Sequence, residues 1–131
     1  MGSIVIKLDP RKLTNPDADL RYRVPDAICE LTSRRVWGVG YDYLDEPNSI
    51  GGPVMAIFLE CADDDIEGSL ASVLEILKTT TFIDNQLGDV AEVLVSDMTD
   101  KELEAHDYHG LSEEGLQSFW KQHFRVICDP K

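Results

Sequence analysis

Positive charge is scarce in this chain. Its 131 residues carry 12 Lys and Arg against 25 Asp and Glu, a formal net charge of −13. Such a field repels nucleic acid and anionic membrane and attracts basic partners. Cysteine is scarcer: Cys29, Cys61 and Cys128 are far apart, odd in number and form no CxxC pair. They read as small buried hydrophobes in a reducing compartment. No apolar run approaches the ~20 residues that a membrane span needs. Met1–Pro10 places Lys7 and Asp9 within a short apolar run, a strand pattern unlike a signal peptide. The expectation is a soluble cytoplasmic protein with no membrane partner.

Recognisable chemistry is also sparse. Gly38-Val39-Gly40 and Ser49–Pro53 match neither GxxxxGK[ST] nor GxGxxG, so they read as a strand irregularity and a hairpin loop. Asp63-Asp64-Asp65 lacks the glycine and closing glutamate of a calcium loop and reads as an acidic helix start. His106 and His109 are weak metal candidates: i, i+3 spacing can share a helix face, but no firm third ligand is near. His123 falls on the apolar side of a helix. No spacing points to a Ser-His-Asp or Cys-His set, and no cofactor is implied.

What is present is acid, unevenly placed. Residues 1–60 hold 7 basic against 9 acidic residues, and residues 61–131 hold 5 against 16. Arg11, Lys12, Arg21, Arg23, Arg34 and Arg35 give the first part its basic character, which ordinary solvated helix faces and pairing with the acidic part explain.

Hydrophobic periodicity predicts the elements. Ser3–Leu8 is a strand with Ile4, Ile6 and Leu8 on one face. Asn15-Pro16 looks like a helix start, Pro25 interrupts the pattern as either a kink in one helix or a new start after a break, and helix is expected over about 25–34. Val36–Leu44 is a strand whose strict alternation puts Trp37, Val39, Tyr41 and Tyr43 on one face. Val54–Cys61 is nearly continuous in apolar character, the mark of a central strand. The acidic triplet opens a helix with a stripe of Ile66, Leu70, Val73, Leu74 and Leu77. Asn85–Asp89 reads as a turn and Val90–Val95 as a fourth strand.

This order predicts an α+β protein of the ferredoxin-like split βαββαβ type, an antiparallel sheet with two helices on one face. Residues 1–97 form that core. Residues 98–131 form a C-terminal helical extension of the same single domain, with Phe119, Trp120 and Phe124 packed on the sheet face the helices leave open. Arg125–Cys128 is a candidate fifth strand.

Three functional classes fit. The first is a small acidic, non-catalytic protein that binds a basic partner, as an inhibitor or a bacterial immunity-type protein does. Its candidate partner-binding residues are Tyr41, Asp42, Tyr43, Asp63, Asp64, Asp65, Glu67, Glu102, Asp107 and Glu113, with Glu104 and Glu114 beside them. The second is a self-associating ligand-binding module, a homodimer joined through the sheet. The third is a small enzyme, built for example from His106 or His109 with Asp42 or Glu60.

Overall fold

A computed structural model of the chain describes residues 2–44, 54–61, 66–96, Ser118 and 124–128. The architecture is α+β. Seven strands and two helices are described: β1 (Gly2–Leu8), α1 (Leu20–Leu31), β2 (Val36–Leu44), β3 (Val54–Cys61), α2 (Ile66–Thr79), β4 (Thr81–Phe82), β5 (Asn85–Gln86), β6 (Glu92–Ser96) and β7 (Arg125–Cys128). The main sheet runs β2-β3-β1-β6-β7, and every neighbouring pair is antiparallel. Val54–Cys61 lies inside the sheet, as its apolar character predicts, and Arg125–Cys128 adds a strand. β4 and β5 form a separate hairpin.

The core follows the period of two. Ile4, Ile6 and Leu8 of β1 meet Met55, Ile57, Leu59 and Cys61 of β3 and Val93 and Val95 of β6. Leu20, Val24 and Ile28 from α1 and Leu70, Val73, Ile76 and Leu77 from α2 close over that face. Each such aliphatic side chain contributes roughly 1.5–3 kcal/mol by leaving water. The second face is buried as well: Val5, Ala56, Phe58 and Leu94 have almost no exposure, which explains why β3 is apolar throughout. Lys7 is buried there too, with its Nζ 3.7 Å from a Glu92 carboxylate oxygen. Phe124 is buried, while Phe119 and Trp120 lie outside the described residues.

Four local expectations need correction. First, α1 does not start at Asn15 or at Pro25; it is one helix, Leu20–Leu31, with Pro25 inside it. Gly38 gives the proline ring its room, since a Cβ at Gly38 would stand 2.7 Å from Pro25 Cβ. The helix stops before residue 34 because Ser33 and Arg34 take left-handed φ values of 55° and 66°, and the Arg34 N–H bonds back to the Cys29 carbonyl at 2.8 Å. Buried Thr32 seals this end: its hydroxyl donates to the Ile28 carbonyl at 2.7 Å and accepts from the Val36 N–H at 3.2 Å.

Second, β2 carries a bulge at the irregularity expected at Gly38-Val39-Gly40, so Trp37 does not share a face with Tyr41 and Tyr43. Its pairing with β3 slips between Gly38 and Gly40, where Gly38 faces Leu59 and Gly40 faces the adjacent Phe58. Val39 is the extra residue of a bulge. A one-residue slip reverses every following side chain. Trp37 therefore sits opposite Glu60 on the second face, whereas Tyr41 and Tyr43 sit opposite Ile57 and Met55 on the helix face.

Third, Asn85–Asp89 is not a single turn. Thr81–Phe82 and Asn85–Gln86 form the hairpin, Ile83 and Asp84 make its two-residue turn with φ of 46° and 65°, and Leu87–Asp89 is one turn of 3-10 helix. Fourth, β6 begins at Glu92, after that helical turn, and not at Val90.

Candidate docking surface

The bulge in β2 delivers two tyrosines to the flank of α1. Tyr22 and Arg21, on the first turn of that helix, meet them there. The Tyr22 and Tyr41 rings pack edge to face with centroids 5.7 Å apart, and Tyr41 and Tyr43 do the same at 6.0 Å. Edge-to-face contact suits the ring quadrupoles. The Arg21 guanidinium carbon lies 4.8 Å from the Tyr22 ring centre and 5.0 Å from that of Tyr41. Its Nη1 donates to the Tyr43 hydroxyl at 2.9 Å. One cation thus ties three rings together.

The cluster stays open to solvent: Tyr22, Tyr41 and Tyr43 are 49%, 40% and 41% exposed. The rings are held by one another and by Arg21 while 40% or more of each remains free for contact. Arg21 holds its proton more tightly than usual, first through the Tyr43 hydroxyl and then through that of Tyr22. The Tyr22 hydroxyl is made more acidic than an ordinary phenol, mainly by its hydrogen bond with Tyr41 and next by Arg21. Tyr41 is shifted upward by the same bond with Tyr22.

Of the residues expected at a partner surface, Tyr41 and Tyr43 are brought together. Asp42 points to the other side of the strand, opposite Ala56, and its Oδ1 accepts the Tyr43 N–H at 2.8 Å. It shapes the strand and does not rim the rings. Glu67 is exposed in the first turn of α2, on a separate element. Asp63, Asp64, Asp65, Glu102, Asp107 and Glu113 lie outside the described residues, as do His106 and His109. Among the described residues, no group of three or more His, Cys, Asp or Glu side chains is placed to hold a metal. No described helix is long and apolar enough to cross a membrane. Cys29 and Cys61 are free thiols, and Cys61 lies in the core.

Sequence reasoning did not single out Tyr22 and gave Arg21 only a general role. The one available signal was their position at the start of a helix whose apolar stripe, Leu20, Val24 and Ile28, leaves positions 21 and 22 facing outward. No family model matches the chain, and no curated protein matches it in sequence.

Proposed function

We propose that this protein is a small acidic, non-catalytic binding protein of the inhibitor or immunity type, and that a basic protein docks on its tyrosine surface. The observation that carries the reading is the Tyr22–Tyr41–Tyr43 cluster: three exposed aromatic rings held in place by Arg21 on a chain of net charge −13. Tyrosine buries a large area for little rotamer entropy, and rings already fixed in the free protein lose less on binding. The acidic field adds steering, raising association rates by roughly 10-fold to 1000-fold at low salt. Nucleic acid and membrane are disfavoured as partners by the same field. We read the architecture as the ferredoxin-like arrangement. The antiparallel order β2-β3-β1-β6, with both helices packed against the core residues of the same sheet face, supports that reading.

The test is capture from host lysate at low salt followed by a salt gradient, with wild type beside a Tyr41→Ala/Tyr43→Ala variant. A basic protein released at high salt from wild type and missing from the variant supports the reading. Equal recovery by the two overturns the tyrosine surface. Recovery of the chain alone, as a stable oligomer, favours self-association, for which the unshared edge of β2 in the described sheet is the supporting feature.

A further inference from the structure

An open cleft of about 320 Å³ separates α1 from the β4–β5 hairpin. Arg23, Asp26, Ala27 and Glu30 line one side of it, spaced so that they share one helical face. Phe82 and Ile83 supply apolar surface opposite, and Thr81 adds a hydroxyl. Phe82 is buried, so it forms a floor, while Asp26 and Glu30 are exposed at the mouth. The two carboxylates stand four residues apart, a spacing at which like charges weaken a helix. Neither has an ion-pair partner among the described residues. Arg23 lies two helical turns before Glu30, roughly 10 Å along the axis, so the Glu30 end of the cleft is the more negative.

An apolar floor with an acidic mouth matches one kind of group: a cation on an aliphatic stem. We propose that this cleft seats a single lysine or arginine side chain of the basic partner. Its stem lies along Ala27, Phe82 and Ile83, and its charged head sits between Asp26 and Glu30 with a donor left for Thr81. The proposal rests on the reading of the protein as a binder of basic proteins. It is nevertheless testable without the partner.

The probe is N-acetyl-arginine amide, titrated into isotopically labelled protein and followed by amide chemical shifts. Its neutral isostere N-acetyl-citrulline amide is the control. A fragment of this size is expected to bind with a dissociation constant of a few millimolar, ~1–10 mM. The expected result is saturable shifts confined to residues 23–30 and 80–84, absent with citrulline. Asp26→Asn/Glu30→Gln should weaken binding roughly tenfold, and Arg23→Gln should strengthen it roughly two-fold. No saturable shift up to about 50 mM, or equal shifts from the neutral isostere, overturns the proposal. N-acetyl-lysine amide in a parallel arm shows whether the head is read as a fork or as a point charge. Failure of the cleft leaves the tyrosine surface standing, because the tyrosine variant is scored on the partner. Failure of the tyrosine variant leaves these shifts unchanged.

Discussion

Asn85 offers a sharp test of how the region beside α1 is held. It is only 1% exposed, yet it is polar. Its Oδ1 accepts the Asn15 N–H at 2.8 Å, and its Nδ2 donates to the Asn15 carbonyl at 2.7 Å and to the Ile83 carbonyl at 3.0 Å. One side chain therefore ties the segment that leads into α1 to a turn 70 residues away, and braces Ile83 in a left-handed conformation that a β-branched residue rarely adopts. Asn85→Ala removes all three bonds. At about 1 kcal/mol net each the loss is about 3 kcal/mol, reduced to about 2–3 kcal/mol because half-buried Asn15 can recruit water. Urea unfolding should show a lower midpoint at unchanged slope. Asn85→Asp sharpens the argument. It keeps the acceptor for Asn15 N–H but turns an anionic oxygen toward two carbonyls in a buried site, so its folded pKa must lie above the unfolded value of about 3.9. Its contribution is fully present below about 3.9 and is lost as pH rises through the folded pKa. At pH 7 it should therefore cost more than alanine, and the gap should narrow or reverse near pH 4. A loss under about 0.5 kcal/mol for Asn85→Ala, or an aspartate variant as stable as wild type at pH 7, refutes this reasoning.

The remaining predictions concern the bulge and the rings. Gly38→Ala should destabilise by about 1–3 kcal/mol, because its Cβ would meet Pro25 Cβ at 2.7 Å and α1 must shift. Gly40→Ala, with nothing within 4 Å of its Cβ, should lie within about 0.5 kcal/mol of wild type in the same urea series. Ultraviolet titration should resolve one tyrosine ionising below 10.0 and another above it, matching Tyr22 and Tyr41, and Arg21→Gln should bring the lower one back up. For Tyr22, stability should rise with pH between its depressed folded pKa and 10.0; for Tyr41 it should fall as pH climbs from 10.0 through its raised folded pKa. A single shared titration at 10.0 would contradict the paired hydrogen bond.

Much of the fold was legible because its signals are local and repeated. The stripe of α2 has the helical period over 14 residues, and β3 is apolar on both sides because both of its faces are buried. What was not legible depends on contacts distant in sequence. Helix α1 runs through Pro25 in contact with a glycine thirteen positions away. The turn at Ile83 and Asp84 lacks the usual Asn-Gly and is held from residue 15. The two glycines flanking Val39 marked the place of the bulge, but its effect on facing was hidden, since Trp37, Val39, Tyr41 and Tyr43 read as one continuous row. Tyr41 and Tyr43 could be named from their chemistry alone. Arg21 and Tyr22 became neighbours of theirs only through the slip that turns residues 41 and 43 toward α1.

The central claim is that the tyrosine surface carries partner affinity within an acidic field. Titration calorimetry of the captured basic protein against wild type, Tyr41→Ala and Gly40→Ala, at low and high salt, tests it most directly. The account predicts that Tyr41→Ala weakens binding by at least about thirtyfold, corresponding to the roughly 2 kcal/mol of a buried aromatic anchor. It also predicts that added salt weakens wild-type binding while Gly40→Ala binds as wild type does. Unchanged affinity for Tyr41→Ala, or affinity indifferent to salt, would contradict it.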